Sequence, residues 1–278
     1  MSEPASVPLP SSTVVLLDDD VRGDGPFRLL MVKRHGRVTF PGVHAFPGGV
    51  VDASDAAAPG AALPADQRWA GAPAGDDPST ALPFWVAAVR ELFEEVGLLL
   101  ALRDGRLIDG PLGTDVLALR DRLHAGEGLA QALARIGAVP ATHVLYGFAR
   151  WITPSANPRR FDTRFLIGRA PAGQKPCPDG TETESCVWYT PEQALAAYFA
   201  GDIELIPPTV RTLDDLARFD SIDAVLDHAR RRAVVPACPE IETAGGRITM
   251  RYPGAADDPV LPDRLLVLEH GRWRPLSG

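Results

Sequence analysis

The stretch Arg90-Glu91-Leu92-Phe93-Glu94-Glu95-Val96-Gly97-Leu98 limits what this chain can fold into more than any other. Residues 84–97 carry the good helix formers Ala87, Ala88, Leu92 and Glu94 and end on Gly97, a natural helix stop. On a helix, Glu91, Glu94 and Glu95 stand at i, i+3 and i+4 and crowd one face, while Val89, Leu92 and Val96 form an apolar stripe. The stripe has to be buried against a core. The carboxylates repel one another by roughly a few tenths of a kcal/mol per pair, which a helix tolerates best when a cation sits on that face. Hard oxygen donors of this kind suit Mg²⁺ or Mn²⁺. Arg90 precedes the triad and reaches Glu94 at i+4, where it can hold a carboxylate in a bidentate pair. The same spacing also suits a solvated acidic face, so the cluster alone does not decide the function.

Around this helix the chain alternates strand and helix patterns. Residues 1–11 are rich in Pro and Ser and are expected to be frayed. Residues 13–17 and 27–32 are apolar runs on either side of an Asp- and Gly-rich loop, the pattern of a hairpin. Residues 53–83 form an Ala-, Pro-, Gly- and Asp-rich insertion whose composition fits a lid, an ordered spacer or a disordered loop. Residues 112–138 hold two short helical patterns broken near Gly126 and Gly128. Strands are expected at 144–152, 161–167 and 185–189, and helices at 192–200, 209–219 and 222–232. From Pro236 the character changes: residues 247–252 and 264–268 read as strands, a β-rich tail that is a candidate homodimer interface.

Composition removes several classes of function. A net charge of −8 argues against a nucleic-acid-binding surface, while leaving room for a nucleotide-sized substrate in a local pocket. No apolar run approaches ~18 residues, so no membrane span is expected. Three cysteines, Cys177, Cys186 and Cys238, without a C-x-x-C pair point to a reducing, cytoplasmic setting and no zinc site. The first residues lack the pattern of a secretory signal.

The full acidic segment resembles the second half of the Nudix box, G-x5-E-x7-R-E-U-x-E-E-x-G-U, with U aliphatic. Arg90, Glu91, Leu92, Glu94, Glu95, Gly97 and Leu98 fill its seven fixed positions. Phe46-Pro47-Gly48-Gly49 resembles the glycine pair that opens the box. Six residues after Gly49 the family's Glu is replaced by Asp55, and 34 residues rather than seven separate Asp55 from Arg90. The 27 extra residues leave open whether Asp55 or Asp52 has a ligand role. Loop-closure entropy grows slowly with length, so the two halves can still meet.

A box split this way is similar to one branch of the superfamily, the peroxisomal coenzyme A diphosphatases and their bacterial relatives. Trp151-Ile152-Thr153-Pro154 followed by Pro158-Arg159-Arg160-Phe161-Asp162-Thr163-Arg164-Phe165 resembles that branch's signature. So do Thr183-Glu184-Ser185-Cys186-Val187-Trp188 and Ile206-Pro207-Pro208. A further coenzyme A motif fits only in part, because Arg37 lies one residue too far upstream. The likeness runs over roughly residues 12–220.

The resemblance implies an α/β/α sandwich around a mixed β-sheet over residues 12–235, with a β-rich extension over 236–278. It implies hydrolysis of a pyrophosphate bond in a nucleoside diphosphate derivative, with Mg²⁺ or Mn²⁺ as cofactor. Coenzyme A or acyl-CoA would yield 3′,5′-ADP and (acyl-)phosphopantetheine. Glu94 and Glu95 are then metal ligands, and Glu91 is a third ligand or the general base. Arg90, Glu91 and Glu94 form the catalytic group, and the Gly48 or Gly49 carbonyl completes the shell. Glu184 is the candidate distant carboxylate, with Glu182 in reserve. Arg159, Arg160 and Arg164 are candidates for substrate phosphates, Trp151 for stacking on adenine and His44 for a substrate contact. In a strand, Arg160, Asp162 and Arg164 share one face, and Phe161, Thr163 and Phe165 the other. Two other readings stay open: the same chemistry on ADP-ribose, NADH or a nucleotide sugar, and a non-catalytic nucleotide-sensing domain.

Overall fold

The computed structural model describes residues 6–19, 25–36, 41–69, 77–252 and 264–276; Arg37 lies outside them. The chain runs β1 (Leu9–Asp18), β2 (Arg28–Arg34), β3 (His44–Ala45), β4 (Gly48–Val50), a 3₁₀ turn (Ala53–Ala56) and α1 (Pro78–Val96). Then come β5 (Ala101–Arg103), β6 (Arg106–Leu107), α2 (Thr114–His124), α3 (Leu129–Ala134) and β7 (Ala138–Pro140). The central part continues with β8 (Tyr146–Ile152), β9 (Phe161–Arg169), β10 (Thr183–Tyr189), α4 (Pro191–Ala200), α5 (Pro207–Leu216) and α6 (Ile222–Arg231). The tail holds β11 (Pro236–Ala237), β12 (Glu240–Ala244), β13 (Arg247–Tyr252), β14 (Arg264–Glu269) and β15 (Arg272–Pro275).

The main sheet has the order β10-β2-β1-β9-β8-β11, with β3 beside β2 and β4 beside β1. It is mixed: β1 runs parallel to β9 and β8 parallel to β11, and the remaining pairs are antiparallel. Alternation along β1 divides the core. Val14 and Leu16 pack with Trp85, Val89, Leu92 and Phe93 of α1, while Val15 and Leu17 pack with Val210, Leu213 and Val225 of α5 and α6. Helices therefore cover both faces, the expected sandwich. Among the described residues, no helix is long and apolar enough to cross a membrane.

Two expectations about local structure change. Strand β1 begins at Leu9, inside the stretch expected to be frayed, because residues 9–17 pair with β9 along their whole length. Helix α1 begins at Pro78 rather than near residue 84. Asp77 caps it by accepting the Ser79 N–H, and Pro78 sits where no intrahelical donor is missed. Pro83 lies inside the helix.

The insertion proves to be a spacer over residues 53–69. Gln67 accepts the Gly147 N–H at 2.7 Å and donates to the Ala229 carbonyl. Thr142 exchanges hydrogen bonds with Ala62, and Trp69 packs on Trp85. These ties hold the segment along β8 and α6. The last four strands form their own antiparallel sheet, β12-β13-β14-β15, and it packs on the same chain. Tyr252 stands edge-on to Trp151 at 4.8 Å, and the Trp273 N–H donates to the Tyr198 hydroxyl at 2.9 Å.

Candidate active site

The two halves of the split box meet between β4 and α1. Gly48 and Gly49 pair with Thr13 and Ser12 of β1, which brings them under the carboxylate face of the helix. Both positions exclude a side chain. A Cβ at Gly48 would collide with the Ser12 carbonyl oxygen, and one at Gly49 would collide with the Glu91 carboxylate. Gly97 ends α1 at φ 68°, in the left-handed region that favours glycine.

Arg90 organises the site. Its Nε and Nη2 donate to the two Asp55 carboxylate oxygens, both at 3.0 Å. Nη1 donates to Glu91 at 2.8 Å and to Glu94 at 2.9 Å, and Nη2 also donates to the Val50 carbonyl at 2.9 Å. All five guanidinium N–H donors are therefore spent. The bidentate partner is Asp55 rather than the expected Glu94. Asp55 is buried and also accepts the Asp52 N–H at 2.7 Å, in a capping box that opens the 3₁₀ turn. That turn carries Asp55 to the arginine, so the side chain one methylene shorter than glutamate suffices. Asp55 and Asp52 thus build the frame, and Arg90 positions the glutamates.

Burial sets the acidity of the box. It pushes the Glu91 carboxyl up to about 7, with the Glu94 and Glu182 charges adding and Arg90 opposing. Burial pushes Glu95 up to about 8, with Glu91 and Glu182 adding and Arg34 and the Gly48 N–H opposing. Glu94 is raised as well, first by burial. Glu95 accepts the Gly48 N–H at 3.0 Å and lies 3.5 Å from Arg34. The end of α1 is braced from α2: Arg120 Nε lies 2.9 Å from the Glu94 carbonyl oxygen and His124 Nε2 lies 3.2 Å from it.

The glutamates open onto a cleft of about 990 Å³. Glu91, Glu94, Arg90 and Gly49 line one end together with Glu182 and Arg34. Glu95 lies behind Gly48, almost fully buried. Among the described residues, no three carboxylate, imidazole or thiol groups converge as a ready-made metal cage. Arg90 bridges Glu91 and Glu94, and Glu95 is turned to Gly48. The donor set still fits a hard dication. The groups are oxygen donors, and two guanidiniums face four carboxylates, an excess of negative charge that a dication would offset.

Several expected site residues lie elsewhere. Glu184 is exposed and paired with Lys33 at 2.7 Å, while the reserve candidate Glu182 lines the cleft. A register shift between Thr183 and Ser185 separates the two. The alternation expected for β9 holds, and it removes two arginines. Phe161, Thr163 and Phe165 face the cleft, and Arg164 lies on the opposite face, over the Phe84 ring at 3.6 Å and beside Asp162. Arg160 ties the Thr153 and Ser6 carbonyls. Arg159 alone of the three lines the cleft, stacked over Phe161. His44 is buried beside Lys33, with burial lowering its pKa, and it does not line the cleft. Trp151 is a buried wall residue, held edge-on by Tyr252. Arg34 and the α2 brace carry no motif, and sequence reasoning misses them. It also misses the tail residues Pro239, Ile241, Met250 and Trp273, which line the far end of the cleft.

Comparison with known proteins bears on the family and the fold. Residues 65–218 match the family model described as the NUDT19 Nudix domain. The chain is 31% identical over 233 residues to the human protein named acyl-coenzyme A diphosphatase NUDT19, covering 70% of this chain and 62% of that one. It is 30% identical over 232 residues to putative nudix hydrolase 7 of Caenorhabditis elegans, covering 82% of this chain and 68% of that one. Among solved structures it is similar to a NUDIX hydrolase from Alicyclobacillus acidocaldarius, with TM-score 0.69 and 26% identity, covering 84% of this chain and 99% of that one.

Proposed function

Because the chain belongs to the Nudix family, matching its NUDT19 Nudix domain, we propose that it is a divalent-metal-dependent diphosphatase for coenzyme A or acyl-CoA. Water attacks one phosphorus of the pyrophosphate, the bridging P–O bond breaks, and 3′,5′-ADP and (acyl-)phosphopantetheine leave. The observation that carries this reading is the set of box glutamates clamped by Arg90 at one end of a cleft whose other end is apolar. The names of the human and nematode relatives support the reaction class, and that of the human relative supports the substrate.

Glu94 and Glu95 would hold Mg²⁺ or Mn²⁺, with Glu182 near enough for its charge to raise Glu91 and Glu95. When bound to these carboxylates, such an ion would supply charge neutralisation at the phosphate oxygens and a more acidic water. Glu91 accepts the proton of the attacking water, a role its elevated pKa suits. Arg90 holds Glu91 and Glu94 in one orientation, so less of the barrier is spent on ordering them. Arg159 lies in the cleft where a substrate phosphate can pair with it.

The test is a substrate panel of coenzyme A, dephospho-CoA, ADP-ribose and NADH with Mg²⁺ or Mn²⁺, read by mass spectrometry, with Glu95→Gln as blank. Release of 3′,5′-ADP from coenzyme A, absent from the blank, is the expected result. Turnover of ADP-ribose or NADH without coenzyme A would overturn the substrate assignment. Arg159→Ala is expected to lower kcat/KM for coenzyme A by about tenfold, the scale of one charged hydrogen bond. Gly49→Ala should displace the Glu91 carboxylate and lower kcat by about 10²-fold with little change in Tm. A full rate in that variant would show that the close approach of Gly49 and Glu91 is not needed for turnover.

A further inference from the structure

We propose that the C-terminal meander is the specificity wall of this cleft. Ile241, Met250 and Trp273 take the acyl end of the substrate while the box carboxylates hold its pyrophosphate, an assignment that rests on the diphosphatase reading above. The register of the main sheet supplies the geometry. Val50, Ser11, Thr163, Trp151 and Ala237 pair in turn and form one row across β4, β1, β9, β8 and β11. Each step between strands is about 4.8 Å, so the row spans roughly 19 Å from the box to the start of the tail. Val50, Ser11, Thr163 and Trp151 of that row line one cleft, and Pro239, two residues beyond Ala237, lines it as well.

The character of the lining changes along the way. Glu91, Arg90 and Glu182 stand at one end, Phe165 and Trp151 in the middle, and Pro239, Ile241, Met250 and Trp273 at the other. Among the described residues, the meander lines the cleft with Pro239, Ile241, Met250 and Trp273, none of them charged. A sugar or nicotinamide would lose hydrogen bonds to water at that end without replacing them, whereas an alkyl chain loses nothing. Ile241 is 56% exposed, an aliphatic side chain whose open surface a bound chain would cover. Met250 lines the cleft beside it, its sulfur accepting the Tyr252 hydroxyl at 2.7 Å.

The wall is held in place. Tyr252 locks against Trp151, the Trp273 N–H bonds the Tyr198 hydroxyl, and Arg272 pairs with Glu204 at 2.8 Å. The meander also lies outside residues 65–218, the part of the chain that matches the Nudix model. The match thus covers three of the four carboxylates at the box and none of this wall.

The experiment is a chain-length series: free coenzyme A, acetyl-, octanoyl- and lauroyl-CoA on the wild-type chain, Ile241→Asp and Ile241→Leu. Turnover is read as 3′,5′-ADP released with Mg²⁺, and affinity by calorimetry in EDTA. Wild-type affinity is expected to rise about two- to fourfold per methylene covered. In Ile241→Asp the ratio of lauroyl-CoA to free coenzyme A, in kcat/KM and in affinity, is expected to fall at least about tenfold. Ile241→Leu restores it, which a folding defect would not produce. An unchanged ratio in Ile241→Asp, or no chain-length dependence in the wild type, overturns the wall. The two readings fail separately. Turnover of coenzyme A with no effect at Ile241 removes the wall and keeps the diphosphatase. Chain-dependent binding that needs Ile241 without release of 3′,5′-ADP keeps the wall and removes the diphosphatase.

Discussion

Glu91→Gln is expected to lower kcat by about 10²–10⁴-fold, the usual range for loss of a positioned proton acceptor. The amide keeps the shape of the carboxyl, and its oxygen still accepts from Arg90 Nη1, so the fold is preserved. The same change should raise the Tm of the metal-free protein at pH 8. Glu91 titrates near 7 in the folded chain, above its ordinary 4.5, chiefly because it is buried. A group raised in this way supports the fold fully below pH 4.5, and that support is lost as pH rises through 7. Glu95, raised to about 8, adds to the same slope. In EDTA the wild-type Tm is therefore expected to fall between pH 5 and 8, and Glu91→Gln to fall less steeply. Adding Mn²⁺ should offset the loss, most strongly at the alkaline end, since the dication binds the deprotonated carboxylates. Stopped-flow or steady-state rates and melting curves at three pH values check both halves. A Glu91→Gln variant with near wild-type kcat would remove Glu91 from the chemistry.

Arg90→Met is expected to destabilise the protein by about 3–5 kcal/mol, the cost of stranding a buried charge. That corresponds to a fall in Tm on the order of 10 °C for a chain of this size. The Asp55 side chain is wholly buried, and without Arg90 it keeps only the Asp52 N–H. Glu91 and Glu94 lose the guanidinium between them in the same step. Arg90→Lys should rescue little, because one ammonium with three donors cannot span Asp55, Glu91, Glu94 and the Val50 carbonyl. Adding Asp55→Asn to Arg90→Met should recover part of the loss by removing the stranded charge, and a double-mutant cycle measures the coupling. Additive effects of the two substitutions would contradict the clamp.

Much of the site could be read from spacing alone. Glu91, Glu94 and Glu95 share a helix face because 3.6 residues make a turn, and Gly48 and Gly49 lack side chains because the backbone and Glu91 come too close. Alternation along β9 correctly divides Phe161, Thr163 and Phe165 from Arg164. Alternation cannot say which side looks into the cleft. That was settled when α1 covered one face of the sheet and drew Arg164 over Phe84. Glu184 and Glu182 are equally plausible in sequence, and a register shift in β10 turned one to Lys33 and left the other lining the cleft.

The sequence by itself determined the acidic helix, its glycine stop, the glycine pair and the mixed order of strands and helices. The helix, its stop and the strand patterns rest on contacts within a few residues, which local spacing encodes, and the glycine pair is legible as a motif although Ser12 and Glu91, which require it, lie far off in the chain. Only the tertiary structure decided that Asp55 clamps Arg90 across a long insertion, that Arg34 reaches Glu95, and that the tail walls the cleft. Each of those contacts joins segments far apart in the chain. Sheet register and helix packing bring them together, and no periodicity along the sequence records that.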